Sequence, residues 1–354
     1  MLPARRAGRT RPRRALVPVL SVLIAVAGLA ACGSGGDDGT PAPSAAAVTG
    51  YPTAVPAGTK LRVGDQGDTL RGPIELSGQG TDLPYSVDWS TFAAGPLLLE
   101  AFRAKAVDIG FVADTPPVLA AASGQDLAVV ASWKSSGDQM TLVTRPGSDI
   151  DDLADLKGKK VAYSTGTILQ AFALRALDSV GLGQRDVEQV NLLPTDIGSA
   201  LSRGDADAGV LVEPLASPYL KDNPTARLVV SGGSVAPFVQ YLITTRDVLD
   251  DPAKAAAIGD FVKRWVRGLT WRDTHVDEFV QKQYVEKQNQ PAEIGKLLLT
   301  KQGVATFTPI DGSVVEGAQK LADLFKDSGV IPKKLDMSKL FDTRYNSAVE
   351  EATK

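Results

Sequence analysis

Two nine-residue segments resemble each other and constrain the fold more than any other feature of the chain. Residues 106–114 read AVDIGFVAD and residues 205–213 read DADAGVLVE, and proline follows each within two positions. Each segment predicts the same unit, in which a helix ends, a turn containing Asp reverses the chain, and a buried strand leads to an acid at its carboxyl end. One copy in each half of the body indicates two similar lobes.

Strands and helices alternate along the body of the chain. A length of 354 residues exceeds one ordinary domain and fits two lobes of about 100–200 residues each. Strands are predicted at 60–63, 86–89, 107–113, 127–132, 140–144 and 160–163, with helices beginning near 95, 114 and 167. This alternation predicts an α/β fold with mainly parallel sheets covered by helices on both faces.

After residue 245 the sequence predicts amphipathic helices. Residues 253–273 and 312–327 carry apolar side chains at helical spacing, so we expect them to pack as scaffold against the core. The last residues, 347–354, are predicted to be a frayed tail.

The amino-terminal region has the pattern of an export signal. Six arginines lie within the first 14 residues, and an apolar run follows over 15–27, shorter than the ~20 residues that a membrane-spanning helix needs. Leu29-Ala30-Ala31-Cys32 then resembles a bacterial lipobox, although a chance cysteine beside an uncleaved anchor is the alternative. We expect a lipoprotein signal peptide at 1–31, exported by the general secretory or twin-arginine route.

Cleavage before Cys32 would leave an acylated first residue. Residues 32–59 are rich in Gly, Ser, Ala, Pro and Asp, a composition that predicts a flexible tether. The expected location is therefore the outer, extracytoplasmic face of the cell membrane, with the protein attached through its amino-terminal lipid.

Composition and the absence of known motifs argue against several other functional classes of protein. The net charge is −3 and no basic run follows the first fifteen residues, so no nucleic acid partner is expected. One cysteine and one histidine, His275, leave no disulfide framework and little for a metal site, so neither a metal nor a cofactor is expected. Neither a phosphate-binding loop, a Gly-x-Ser-x-Gly elbow nor a His-Glu-x-x-His helix occurs.

Candidate ligand contacts follow from the predicted strand ends. Ligands of open α/β sheets bind outside the carboxyl ends of the strands, where helix N-termini present unpaired N–H groups. The threonines could equally be helix caps only, and capping does not exclude ligand contact. The residues at these positions are Gln66, Asp114, Thr115, Thr165, Gly166, Thr167 and Glu213.

Several motifs together resemble a known family. They are VDWSTFAAGP at 87–96, VDIG at 107–110, DTPP at 114–117, LADLKGKKVA at 153–162 and LPTD at 193–196. In this order, from about residue 60 to residue 245, they resemble the solute-binding proteins of ABC importers for aliphatic sulfonates, taurine and nitrate.

The resemblance implies a two-lobe, periplasmic-binding-protein-like clamshell with two hinge crossovers. Lobe 1 would comprise 60–148 and 243–354, and lobe 2 would comprise 149–242. It implies a monomer, not an enzyme, that closes on a small molecule, most simply a sulfonate or taurine-like compound, and delivers it to the permease of an ABC importer.

The sequence leaves the ligand open. Buried sulfonate needs neutral donors or a cation, which Lys134 beside Trp133 could supply, although Trp133 could equally be packing rather than an aromatic wall. Asp114 and Glu213 would repel a bare anion unless paired, and would suit a zwitterion. Sulfonate binders often carry Trp and Asp at 212–213 and a serine-rich turn at 166–169, and this chain does not.

Other functions remain open as well. Nitrate, bicarbonate and a thiamine-precursor pyrimidine are alternative solutes. The same fold houses enzymes that act on pyrimidine precursors of thiamine or on menaquinone precursors, and a sensor or adhesion lipoprotein could keep the clamshell without an importer.

Overall fold

The computed structural model describes residues 50–235 and 238–354. The predicted signal peptide, the acylation site Cys32 and most of the predicted tether lie outside the described residues. Within those two ranges, no helix combines the length and the apolar character needed to cross a membrane.

The strands of the described part belong to two separate sheets. The first sheet has the order β11-β4-β10-β3-β1-β2, and the second has the order β7-β6-β8-β5-β9. In chain order the strands are β1 (Lys60–Asp65), β2 (Ser86–Thr91), β3 (Ile109–Ala113), β4 (Leu127–Ser135), β5 (Met140–Thr144), β6 (Lys160–Tyr163), β7 (Glu188–Asn191), β8 (Ala208–Val212), β9 (Leu228–Ser231), β10 (Phe238–Thr245) and β11 (Thr306–Phe307).

The two sheets repeat one arrangement. In the first sheet β1 lies between β2 and β3, all parallel, and in the second β6 lies between β7 and β8, all parallel. The next neighbour is antiparallel in both cases, β10 beside β3 and β5 beside β8. The two segments that resemble each other in sequence therefore form equivalent strands, β3 and β8.

The expectation of mainly parallel sheets is wrong, because both sheets are mixed. Five of the nine strand pairings are antiparallel. The chain leaves the first sheet at the carboxyl end of β4 and enters the second sheet at the edge where β6 and β8 end. β5 therefore starts at this carboxyl edge and runs antiparallel to β8. The return from β9 to β10 has the same effect on the first sheet.

The sheets divide the chain at points that differ from the expected lobe boundaries. β5 lies within 60–148 but pairs in the second sheet, and residues 238–242 of β10 lie within 149–242 but pair in the first. The chain changes sheet between Ser135 and Met140 and again between Ser231 and Phe238, several residues before each expected boundary.

Helices cover both sheets. Short 3₁₀ turns occur at Ala154–Leu156, Gln184–Asp186, Met337–Leu340 and Thr343–Tyr345, and a π-helical segment spans Val280–Lys287. The α-helices are α1 (Arg71–Leu76), α2 (Gly95–Arg103), α3 (Thr115–Ala122), α4 (Ile168–Asp178), α5 (Pro194–Arg203), α6 (Ala216–Asp222), α7 (Gly232–Val235), α8 (Arg246–Leu249), α9 (Pro252–Thr274), α10 (Val276–Phe279), α11 (Ala292–Gln302), α12 (Gly312–Asp327) and α13 (Asn346–Ala352).

The carboxyl-terminal helices pack as scaffold, as their periodicity predicts. In α9 the apolar stripe, which includes Phe261, Trp265 and Leu269, is buried in a cluster with residues of the first sheet. The frayed tail expected over 347–354 is wrong as far as residue 352, because α13 is a helix that buries Ala348 and Val349 in the same cluster.

In each sheet, the aspartate of the repeated segment accepts a hydrogen bond from the backbone of the neighbouring strand near the amino edge. Asp108 precedes β3 and accepts from the backbone N–H of Arg62 in β1 at 2.9 Å. Asp207 precedes β8 and accepts from the backbone N–H of Lys160 in β6, also at 2.9 Å. The repeated aspartate therefore has the same structural task in both sheets, which is to join the central strand to its neighbour.

Candidate functional site

The turn after β1 places Gln66 at the carboxyl edge of the first sheet. The buried Asp65 carboxylate accepts from the backbone N–H groups of Gln66, Leu70 and Arg71 at 2.7, 3.0 and 2.9 Å. Burial raises the pKa of Asp65, although these hydrogen bonds favour the charged form. Gln66 Nε2 donates to the backbone oxygen of Phe111 in β3, so the amide reaches the neighbouring strand end.

Asp114 and Thr115 stand at the junction of β3 and α3, and both are buried. Arg175 of α4 donates to Asp114 Oδ2 at 2.7 Å, and Thr115 Oγ1 donates to Asp114 Oδ1 at 3.2 Å. Burial and the nearby Asp114 charge raise the pKa of Tyr241, whereas Arg175 lowers it. The Asp114 charge is therefore compensated by a cation from a helix associated with the other sheet.

Trp133 and Lys134 lie close to the carboxyl end of β4, at the same edge as Gln66 and Asp114, because β3 and β4 both run antiparallel to β10. Trp133 has no exposed surface and belongs to the apolar cluster of the first sheet, so its ring packs in the core. Lys134 is half-buried and forms no ion pair within the described residues. Hydrogen bonds from Ser313 and Val314 lower the pKa of Asp311, and the charge of Lys134 makes a smaller contribution in the same direction.

Thr165, Gly166 and Thr167 form the turn between β6 and α4 at the carboxyl edge of the second sheet. Thr167 Oγ1 caps α4 by accepting from the Leu169 N–H at 3.2 Å. Gly166 has a φ of +75°, a left-handed conformation that glycine adopts readily, and its N–H donates to Gln170 Oε1 at 2.9 Å. The exposed Thr165 accepts from Gln189 Nε2 through its hydroxyl.

Glu213 follows β8 at the same edge of the second sheet. Its carboxylate is buried and accepts from Ser217 Oγ at 2.6 Å and from the Ser217 N–H at 3.2 Å. The side chain is therefore engaged with the first turn of α6. Both Glu213 oxygens are therefore directed to Ser217, although no cation among the described residues pairs with this carboxylate.

The two carboxyl edges approach each other in this structure. A side chain at Gly166 would begin 3.7 Å from Leu119 Cδ1 of α3 and 3.8 Å from Pro96 Cγ of α2. The Arg175–Asp114 contact joins the same two regions. The predicted site residues thus fall into two groups, one at each edge, and α4 brings the groups together.

Two residues at this junction were not predicted from the sequence, Arg175 and Gln170. The buried acid predicted at Asp114 signals that a cation should pair with it, but several arginines are available and the sequence does not select one. Gln170 lies within the buried face of α4 and holds the Gly166 turn, and no local pattern marks that role.

Comparisons with known proteins find a family model that matches part of the chain and relatives that match most of it. Residues 96–258 match the family described as NMT1/THI5 like. A protein of Escherichia coli (strain K12) named for binding aliphatic sulfonates is 27% identical over 287 residues, which cover 78% of this chain and 86% of that protein.

Solved structures agree with the sequence comparison. The periplasmic aliphatic sulphonate binding protein of Escherichia coli superposes with a TM-score of 0.71 at 25% identity, covering 80% of this chain and 92% of that one. The alkanesulfonate-binding protein of Xanthomonas axonopodis pv. citri, bound to MOPS, gives 0.69 at 26% identity, covering 82% and 99%. The fold is that of the periplasmic binding proteins, and the chain is similar in sequence and in structure to proteins named for binding aliphatic sulfonates.

Proposed function

We propose that this protein is an extracytoplasmic, lipid-anchored solute-binding protein that captures a small sulfonate between the carboxyl edges of its two sheets. It then delivers the solute to the permease of an ABC importer. The homologues named for sulfonate binding support the class of ligand, and the signal-like sequence before Cys32 supports the anchor. No catalytic step is part of this proposal.

One observation carries the proposal, namely the meeting of the two edges at α4. Neutral donors stand on both sides. On the first edge, Gln66 has a second N–H on Nε2 besides the one that it donates to Phe111, and on the second edge the Thr165 hydroxyl accepts from Gln189 and can still donate. Thr115 already donates to Asp114, and Asp114 and Glu213 are engaged as well. A buried anion is stable only when hydrogen-bond donors or a cation compensate for its lost water. The Arg175 charge offsets that of Asp114, and the Glu213 carboxylate is directed to Ser217, so the repulsion that an anionic ligand would meet is reduced.

Closure follows from binding at two edges. A ligand that contacts both edges stabilises the arrangement in which they are close, and so shifts a population that already exists. The connection from β4 to β5 and the connection from β9 to β10 are the two about which such a movement could occur.

A thermal-shift screen of the purified protein tests the proposal. The panel contains ethanesulfonate, MOPS, taurine, nitrate, bicarbonate and a thiamine-precursor pyrimidine. We expect the unfolding midpoint to rise with at least one sulfonate and with none of the non-sulfonates, because a ligand that binds only the native state stabilises it. A rise with the pyrimidine alone would instead support the alternative ligand class.

A further inference from the structure

Two buried N–H donors near the first edge have no partner among the described residues. They are Trp133 Nε1 and Gln240 Nε2, and their side chains are 0% and 1% exposed. A buried donor without a partner is destabilising, so two such donors together call for an acceptor. Neither is used by the contacts described above.

The register of the first sheet places these donors side by side. Gln240 of β10 stands opposite Trp133 of β4 and opposite Ala113 of β3. Directly opposed residues in an antiparallel pair share a face, with Cβ atoms about 5 Å apart. These three opposed residues lie near the carboxyl edge of the sheet, because Ala113 is the last residue of β3 and Asp114 follows it.

The tryptophan of this pair is held in place from one side. The Arg272 guanidinium lies 5.7 Å from the Trp133 ring centroid and donates to Asp273 Oδ1 and to Gln302 Oε1. These contacts are made by the protein's own side chains, so they orient the indole N–H. Preorganised donors bind an acceptor without a further ordering cost.

We propose that Gln240 and Trp133 donate hydrogen bonds to the oxygen atoms of the ligand's anionic group, the sulfonate in the class proposed above. This assignment rests on the proposed function and deepens it, because it gives the oxyanion its anchor on the first sheet. Two neutral N–H donors suit an oxyanion in a buried setting.

Isothermal titration of the purified protein with ethanesulfonate and MOPS tests the assignment. Gln240→Leu removes the amide at similar volume, and Trp133→Phe removes only the indole N–H and one ring. A hydrogen bond to a charged group is worth about 1.5–3 kcal/mol, so each variant should weaken binding by about tenfold or more. Gln125→Leu is the matched control, since Gln125 precedes the amino end of β4, opposite to the carboxyl edge, and its loss should leave affinity unchanged.

The unfolding midpoint without ligand separates binding from a structural role. Because Gln240→Leu removes an unpartnered donor, its midpoint should equal or exceed that of the wild type. If Gln240→Leu does not fold, Gln240→Glu keeps the size, replaces the amide donors with a carboxylate, and should weaken ethanesulfonate binding at least as strongly.

Two results would overturn the assignment, and they differ. If the wild type binds a sulfonate and both Gln240→Leu and Trp133→Phe bind it with unchanged affinity, the assignment is overturned but the proposed function is not. No binding of either sulfonate by the wild type would overturn the proposed function and this assignment together.

Discussion

Arg175 of α4 lies 2.7 Å from Asp114 at the end of β3, and this ion pair connects the helix that follows β6 in the second sheet to the carboxyl edge of the first. The Asp114 side chain is 4% exposed and that of Arg175 is 21% exposed. The pair therefore has two consequences. It neutralises an acid beside the proposed ligand position, and it holds the two edges in contact.

Removal of the cation from this pair should destabilise the protein. We expect Arg175→Met to lower the free energy of unfolding by roughly 2–4 kcal/mol, because Asp114 would remain buried and uncompensated. Urea denaturation measures the change. Arg203→Met is the control, since Arg203 and Asp205 form an exposed pair worth at most about 1 kcal/mol. Equal losses in the two variants would contradict this account of the pair.

Asp108 should contribute stability that depends on pH. Burial alone would raise its pKa, but the hydrogen bonds from Arg62 and Lys254 outweigh burial and hold the pKa of Asp108 below its usual value. A carboxylate whose pKa is depressed in the folded state stabilises the protein above its unfolded pKa, near 4, and that stability is lost as the pH falls through the folded pKa.

Asp108→Asn measures that contribution. At about pH 7 the variant should lose roughly 2–4 kcal/mol, because two cations lose a buried partner, and the gap to wild type should narrow as the pH falls toward about 3. Urea unfolding across this range gives the values. Asp88→Asn in the exposed pair with Lys60 should cost at most about 1 kcal/mol. If the difference in free energy of unfolding between wild type and Asp108→Asn did not change with pH, the proposed contribution of Asp108 ionisation to stability would be excluded.

Gly166 should limit how closely the two edges approach. Gly166→Leu places a side chain against Leu119 and Pro96, so we expect ethanesulfonate affinity to fall by about tenfold or more. Gly158→Leu is a matched control, because Gly158 has the same φ of +75° and nothing within 4 Å of its Cβ position. Both variants should lose about 1 kcal/mol of stability to backbone strain. An equal loss of affinity in both variants would show that contact between the edges is not responsible.

Cys32 should attach the protein to the membrane. In the native bacterial host we expect wild-type protein in the membrane fraction, labelled by radioactive palmitate, and Cys32→Ser protein without the label and released from that fraction. Cell fractionation followed by immunoblotting checks this outcome. Retention of unlabelled Cys32→Ser in the membrane would favour the uncleaved anchor instead.

Features encoded over a few residues could be predicted from the sequence. The alternation of strands and helices, the stripe of α9 and the equivalence of β3 and β8 follow from local periodicity and from a repeated segment. The strand ends that carry Gln66, Asp114, Thr165 and Glu213 were likewise found from local signals, and the structure sorts these residues onto two edges.

Features that depend on distant pairing could not be predicted. The antiparallel direction of β5 and β10 arises from the crossovers between sheets, which leave no periodic signal in either strand. The pairing of Arg175 with Asp114 joins residues 61 positions apart. The burial of Trp133 depends on Arg272 and the helices after residue 245, so its core position is set by packing rather than by its neighbours in sequence.

Capture of the ligand by closure is tested most directly by a distance across the two edges. Leu97 in α2 and Leu193 before α5 are both exposed, so spin labels on Leu97→Cys and Leu193→Cys, in a Cys32→Ser background that removes the single native thiol, report that distance. Electron–electron resonance should show a shorter and narrower distance distribution with saturating ethanesulfonate than without it. An unchanged distribution, under conditions where calorimetry shows the site to be full, would contradict closure around the ligand.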